Sequence, residues 1–161
     1  MIFDPDALLA ALPRREIKPL AGVKFRKSTI RRETDSSLGK DGEYNGFSGR
    51  ERDRTADVSK KLIAAGATIR HANCDICGAA ADHEHAEDYY GLTRWIGMCA
   101  RCHVHTLHKR FTNPRKWSAL LDLHELPEVH WARLVASEPF DLAQLLRDRG
   151  MREPTISDFA R

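Results

Sequence analysis

Two C-x-x-C pairs constrain this chain more than any other feature of its sequence. Cys74 and Cys77 form the first pair, and 21 residues separate it from the second pair, Cys99 and Cys102. Each pair can present two thiolates on a tight turn, and two such turns can hold one Zn²⁺ tetrahedrally. Gly78 follows the first pair directly and suits that turn. The spacing therefore predicts a four-thiolate zinc site, which is typical of a structural metal because no coordination position stays open.

Length and composition favour one globular domain of ordinary size. The chain has 161 residues, of which 30% are charged and 42% hydrophobic. It contains no run of 18 apolar residues, so no membrane span is expected. The first residues are acidic and the positive charges follow the apolar stretch, which is the wrong order for a secretory signal. We therefore expect a cytoplasmic protein, in which paired cysteines bind metal instead of forming disulfides.

Charge is unevenly distributed along the chain. Residues 14–61 carry 14 Lys/Arg against 8 Asp/Glu, whereas the remainder carries 12 against 15, and the net charge is +3. A basic N-terminal third indicates a polyanionic partner, although an ordinary solvated surface would look similar. The predicted nucleic-acid contacts are Arg50, Arg52 and Arg54 in a basic arm, and Lys109 and Arg110 after the cysteines.

Breakers and caps divide the chain into four regions. These are a basic helix and arm (1–66), a zinc-bound core (67–112), C-terminal helices (113–150) and a loose tail (151–161). The glycine-rich stretch 35–56 is predicted to be a loop. We expect a short strand over 67–72 and helices over 4–12, 57–65, 113–123, from Pro127, and over 137–149. The predicted core residues are Trp117, Leu120, Leu121, Trp131, Leu134, Leu142, Leu145 and Leu146.

Histidine is unusually dense around the cysteines, at positions 83, 85, 103, 105 and 108. Four thiolates do not need these imidazoles, so they indicate a second metal or a catalytic centre. On a strand, His83 and His85 would share one face, with Asp82 on the other. On a helix, His105 and His108 would be neighbours, while His103 would lie beside Cys102. Not all five histidines are therefore expected in one site.

The order of these motifs resembles a known family. C-x-x-C, then Asp82-His83, then C-x-x-C-His103 resembles the zinc-stapled HNH endonucleases, also called His-Me finger or ββα-metal enzymes. It is also similar to phage junction-resolving endonucleases. The resemblance covers residues 74–111, and it implies an α+β fold in which zinc pins a β-hairpin to a following helix. The flanking helices and the basic arm would lie outside this zinc-stapled ββα-metal finger.

The resemblance implies a role for each matching residue. His83 would be the general base, and Asp82 and His103 would bind a catalytic divalent cation such as Mg²⁺. Arg94 would hold a phosphate or stabilise the leaving group, although a surface salt bridge is an equal alternative. A second register takes His85 as the base, because residues 85–89 read H-x-E-D-Y and resemble that stretch in another small HNH-like group. In that register His108-Lys109-Arg110-Phe111 matches the end of the motif.

One position departs from the family pattern. The middle Asn, which orients the base, is absent, and Thr93 and Arg94 stand in its place. Thr93, Glu87 or Asp88 could take over its hydrogen bond. The resemblance nevertheless implies an endonuclease that hydrolyses phosphodiester bonds in double-stranded DNA. Its similarity to small restriction endonucleases also favours a homodimer, because a two-fold protein suits a palindromic site. The alternatives are a zinc-stabilised nucleic-acid-binding module without catalysis, and an interaction protein whose basic face binds an acidic partner.

Overall fold

The structure is a computed structural model that describes residues 11, 43–92, 95–126, 134–136 and 138–159. Its contacts define two compact units. The described part of the first, the cysteine unit, comprises residues 11, 71–85, 96–126, 134–136 and 138–139. The described part of the second, the loop unit, comprises residues 43–70, 86–92, 95 and 140–159.

The described elements combine helices with one small sheet, as the predicted mixed class requires. In these ranges no helix has the length and apolar character to cross a membrane. In chain order the elements are α1 (Gly49–Ala64), β1 (His83–His85), β2 (Ile96–Met98), α2 (Ala100–His103), α3 (Pro114–Leu123) and α4 (Leu142–Asp148). Two 3₁₀ turns lie at Leu107–Lys109 and Ile156–Phe159.

The sheet of the cysteine unit is a short antiparallel pair. β1 and β2 align His83 with Met98, Glu84 with Gly97, and His85 with Ile96. A side chain on Gly97 would have no room, since its Cβ would come within 2.2 Å of the Cβ of His71 and 2.8 Å of the Asn73 carbonyl oxygen. Because glycine has no side chain, the segment before the first cysteine pair can pack closely against β2 at Gly97.

The core of the cysteine unit surrounds the cysteines themselves. α3 begins at Pro114 and ends at Leu123, with Asn113 as its N-cap, and this confirms the predicted helix. Its buried face includes Trp117, whose indole N–H donates to the Leu134 carbonyl oxygen at 3.0 Å. The buried cluster consists of Cys74, Ile76, Ile96, Met98, Cys99, Cys102, Leu107, Trp117, Leu120, Leu121, Leu134 and Val135.

In the loop unit, α1 begins eight residues earlier than the predicted helix. Ser48 caps it, because its hydroxyl accepts from the Glu51 N–H at 3.3 Å while the Glu51 carboxylate accepts from the Ser48 N–H at 2.7 Å. This reciprocal capping box overrides the glycine-rich composition over residues 49–56, where a loop was predicted, while residues 35–42 of that predicted loop lie outside the described residues. The predicted stop is confirmed, since Gly66 has a φ of 69° directly after the C-cap Ala65.

A tight turn precedes α1 and carries an aromatic cluster. Tyr44 and Phe47 exchange backbone hydrogen bonds at 3.1 and 2.9 Å across Asn45 and Gly46, which both have positive φ. Asn-Gly is the sequence that favours such a turn. Phe47 is fully buried, and its ring centroid lies 5.2 Å from that of Tyr89.

Several other sequence predictions need correction. Residues 67–72 form no strand, and only Asn73 bridges to Ala80 nearby. α4 starts at Leu142, not at 137, because Asp141 caps it by accepting from the Gln144 N–H at 2.8 Å. The tail, predicted to be loose, contains the turn Ile156–Phe159.

Most of the predicted core residues are indeed buried, whereas Leu145 is half-buried. Trp131 lies outside the described residues, as do the start of the helix predicted from Pro127 and, apart from residue 11, the helix predicted over 4–12. The buried residues are Trp117, Leu120, Leu121, Leu134, Leu142 and Leu146.

Ser48→Ala tests the capping box. We expect the free energy of unfolding to fall by about 1 kcal/mol, because the first turn of α1 loses a hydrogen-bond acceptor. Urea unfolding followed by circular dichroism measures the change. Ser157→Ala is the matched control and should stay near wild type, since Ser157 is exposed and its hydroxyl meets that of Thr155 at 2.7 Å on the surface. Equal stability of the two variants would contradict the capping role.

Candidate functional site

The four cysteines converge in the cysteine unit. Their sulfur atoms all lie within 4.8 Å of one another, and the Cys77 and Cys99 sulfurs are 3.7 Å apart. Cys74, Cys99 and Cys102 are buried, while Cys77 is half-buried. Four thiols gathered at this spacing are the donor set that Zn²⁺ prefers, so these residues could hold a zinc ion.

Local backbone structure builds both cysteine turns. In the first, the Gly78 N–H donates to the Cys74 carbonyl oxygen at 2.8 Å, and Gly78 has a φ of 73°, which suits glycine. In the second, Cys99 is the N-cap of α2, which carries Cys102. The Asp75 carboxylate ties the first cysteine turn to β2, the strand that leads into the second turn, because it accepts from the Gly97 N–H at 2.8 Å.

The thiols interact strongly with one another. A hydrogen bond with Cys102 lowers the pKa of Cys74 to about 4, and the same contact raises the pKa of Cys102. Desolvation lowers the pKa of Arg101, but the hydrogen bond to Cys77 and the charge of Cys102 outweigh this effect. The pKa of the guanidinium is therefore raised above its usual value. A guanidinium beside the sulfurs offsets part of the negative charge that bound thiolates would carry.

A second group of metal-binding side chains lies on the same short scaffold. His85 Nδ1 is 2.9 Å from His103 Nε2, and His108 Nε2 is 3.1 Å from that same atom. The three histidines come from the end of β1, the end of α2 and the turn Leu107–Lys109. One ring nitrogen of each lies within 4.8 Å of the other two, so these residues could hold a second ion.

The close approach of these three imidazoles favours a bound cation between them. A neutral imidazole has one N–H and one lone pair, so His103 Nε2 cannot pair ideally with both of its neighbours. A cation at this point would give three lone pairs a common partner. His85 is buried and His108 exposed, so the group extends from the core to the surface.

His83 lies beside this group without belonging to it. Its ring centroid is 5.0 Å from that of His103, and the His85 ring lies 4.9 Å from the same ring. The two histidines of β1 thus face the same way, as strand alternation predicts. Glu84 faces elsewhere, because its carboxylate accepts from the His71 N–H at 2.8 Å and lies 2.6 Å from His71 Nδ1.

The structure does not bring Asp82 into the histidine group. Among the described residues, the ligand atoms of this group that lie within 4.8 Å of one another are those of His85, His103 and His108, and Asp82 is not among them. The Asp82 carboxylate instead accepts from the Ala100 N–H at 3.2 Å. Because Cys99 supplies no side-chain cap to α2, Asp82 takes that place at the helix N-terminus.

His105 also lies outside the histidine group. α2 ends at His103 and does not continue as a helix to Phe111. The His103 and His108 ring centroids are therefore 4.2 Å apart, although a helix would have paired His105 with His108.

The residues predicted to contact DNA differ in their surroundings. Arg50 is exposed on α1, whereas the guanidinium of Arg52 lies 5.8 Å from the centre of the Tyr89 ring. Arg54 pairs with Glu153 at 3.3 Å. In the cysteine unit Lys109 is exposed, but Arg110 is buried and its guanidinium lies 4.4 Å from the centre of the Phe111 ring. Burial argues against a phosphate contact by Arg110.

Of the three residues that could replace the family Asn, the structure describes Glu87 and Asp88. Thr93 lies outside the described residues, as does Arg94, the candidate for a phosphate or leaving-group contact. Glu87 is buried in the loop unit, where it accepts hydrogen bonds from the Tyr44 hydroxyl at 3.0 Å and the Asn45 side chain at 2.5 Å. Asp88, also buried, accepts from the Tyr90 N–H at 2.8 Å. A role for any of them in orienting a base stays a prediction.

Comparison with known proteins adds no assignment, since no protein-family model, curated protein or solved structure matches this chain.

Removal of a cysteine tests the zinc site. The purified protein should hold about one Zn²⁺ at the four thiols through dialysis against a weak chelator. Cys74→Ser and Cys102→Ser should lose that ion and unfold, because the metal supplies folding energy. His108→Ala is the control and should keep it. Metal analysis and circular dichroism measure both effects, and a folded wild-type chain without zinc would contradict the assignment.

Proposed function

We propose that this chain is a metal-dependent endonuclease of the HNH type that hydrolyses phosphodiester bonds in DNA. The observation that carries the proposal is the convergence of His85, His103 and His108 beside His83. A nucleic-acid-binding module has no use for three converging imidazoles next to a fourth. The resemblance of the cysteine and histidine motifs to HNH enzymes points to the same chemistry.

The proposed architecture is a ββα-metal finger. The supporting features are the hairpin β1–β2, the helix α2 that follows it directly, and the four cysteines that flank both strands. Zinc at the four thiols would fix the hairpin to the helix and so hold the histidines in place. α2 has only four residues, so the finger would be a short one.

We assign the second cation to His85, His103 and His108, in place of the pair Asp82 and His103. Their nitrogen atoms already converge, whereas the Asp82 carboxylate caps α2. Three imidazoles favour a borderline ion such as Zn²⁺, Ni²⁺ or Co²⁺ over Mg²⁺, which prefers oxygen ligands. When bound, such a cation neutralises charge on the scissile phosphate and on the leaving oxygen.

His83 is then the general base. With His85 committed to the cation, its ring cannot also accept a proton from water, so the first register is favoured over the second. In its neutral form His83 takes a proton from water while the water oxygen forms its bond to phosphorus. The bond from phosphorus to the leaving oxygen breaks, and that oxygen departs with the bonding electrons. Arg94 stays a candidate for stabilising the charge that develops there.

Separate substitution of the two β1 histidines tests these roles. His83→Ala should slow nicking of supercoiled plasmid by at least about 100-fold and should retain the second cation, because a base is lost and no ligand is. His85→Ala should lose both activity and that cation. His105→Ala is the control and should cleave and bind metal like wild type. Agarose gels and metal analysis of the same preparations measure both properties.

The reverse pattern, in which His83→Ala loses the cation and His85→Ala keeps it, would overturn the assignment of roles. If wild-type protein binds DNA but nicks it with none of Zn²⁺, Ni²⁺, Co²⁺, Mn²⁺ or Mg²⁺, the binding module without catalysis replaces the endonuclease.

Lys109 tests the DNA contact near the histidine group. Lys109→Ala should weaken DNA binding and flatten the dependence of log affinity on log salt by about one, because one phosphate contact is lost. Lys60→Ala is the matched control, since Lys60 is also exposed but pairs with Asp57 at 3.2 Å. Fluorescence anisotropy over a range of salt concentrations measures the slopes. Equal slopes for the two variants would remove Lys109 from the interface.

A further inference from the structure

The histidine group depends on a break in the chain between His103 and His108. Along a continuous α-helix, residues five apart point about 140° away from each other, so these two rings could not meet. The chain instead leaves the helix after His103 and re-enters a turn at Leu107–Lys109. The interactions that stabilise this break therefore also determine where His108 lies relative to His103.

Thr106 lies at the centre of the break. It is only 1% exposed, and its φ of −130° and ψ of −64° are not helical. Its hydroxyl donates to the Arg101 carbonyl oxygen at 2.7 Å. That carbonyl belongs to the last turn of α2, where carbonyl groups have no partner within the helix. The side chain thus ties the turn back to the helix that carries His103.

The backbone of Thr106 and its neighbour complete the restraint. The Thr106 carbonyl oxygen accepts from the Lys109 N–H at 3.1 Å and so closes the 3₁₀ turn that contains His108. Leu107, the next residue, is fully buried in the hydrophobic cluster of the cysteine unit. The hydrogen bond of the Thr106 hydroxyl and the burial of Leu107 together restrict the backbone before His108. They therefore restrict the position of the His108 ring.

We propose that Thr106 is a positioning residue of the histidine cation site, which it serves by holding His108 against His103. The proposal rests on the proposed function, since it takes these histidines as ligands. A buried hydroxyl and the carbonyl it satisfies are costly to leave without a partner. Loss of the hydroxyl should therefore loosen the turn that carries His108, whereas Cys102 stays within α2 and the other three thiols precede this helix.

Thr106→Val removes the hydroxyl with little change in shape. Full-length protein with zinc at the four thiols is titrated with Co²⁺, and the absorption of imidazole-bound cobalt is followed. We expect Thr106→Val to bind Co²⁺ on the order of 10-fold more weakly, as loss of an outer-sphere hydrogen bond does at other sites, and to keep its zinc. Thr106→Ser, which restores a hydroxyl, should recover most of the affinity.

Thr112→Val is the matched control. The Thr112 hydroxyl also donates to a backbone carbonyl, that of Lys109 at 3.4 Å, but the residue is exposed. This variant should bind Co²⁺ like wild type. Equal affinities of Thr106→Val and Thr112→Val would overturn the proposal. Loss of zinc together with Co²⁺ in Thr106→Val would also overturn it, because the role would then be one of general stability.

A second measurement separates this proposal from the proposed function. If wild-type protein binds no Co²⁺, the assignment of a cation to the three histidines fails, but the turn can still be tested. NMR then follows the nuclear Overhauser contact between the His103 and His108 rings in the zinc-loaded chain. Loss of that contact in Thr106→Val supports the positioning role, and its retention overturns it.

Discussion

The described structure of the cysteine unit depends on the convergence of four sulfur atoms from two separate turns. Thiolates gathered within 4.8 Å repel one another unless a cation joins them. The buried hydrophobic cluster is built around three of these cysteines, so the four-thiol group and the core are one structure. Structural zinc supplies about 10–16 kcal/mol of metal-coupled folding energy in small domains, more than the net stability of many of them.

The backbone links the four thiols to the histidine group over very short distances. Cys102 and His103 are consecutive residues of α2, and β2 ends directly before Cys99. The Asp82 carboxylate caps α2, and the Asp75 carboxylate ties the first cysteine turn to β2. Any change at the thiols would therefore move His103. This link explains how a hairpin of two three-residue strands could carry a precisely arranged site.

Features encoded by a few consecutive residues could be predicted from the sequence. The convergence of the four cysteines followed from the C-x-x-C spacing, and the start of α3 followed from Asn113-Pro114. Two equally local signals were missed. Ser48 and Glu51 form a capping box inside a stretch whose glycines indicated a loop, and Asn45-Gly46 forms a tight turn there. In both cases the turn and cap chemistry of two specific residues outweighs the glycine-rich composition around them.

The makeup of the histidine group could not be predicted, because it depends on tertiary structure. A continuous helix was the natural extrapolation from His103, and it separates His103 from His108. The break arises because Leu107 is drawn into the core and Thr106 bonds back to α2. Asp82 illustrates the same limit, since its place beside His83 in the motif did not reveal that its carboxylate caps a helix.

Anomalous X-ray diffraction from crystals grown with excess Zn²⁺ tests the central claim most directly, namely that one short scaffold holds two distinct cation sites. The account predicts one strong peak bonded to the sulfurs of Cys74, Cys77, Cys99 and Cys102. It predicts a second peak about 2.0–2.1 Å from one ring nitrogen each of His85, His103 and His108. A single peak at the sulfurs, or a second peak bound by Asp82 without His85 and His108, would contradict it.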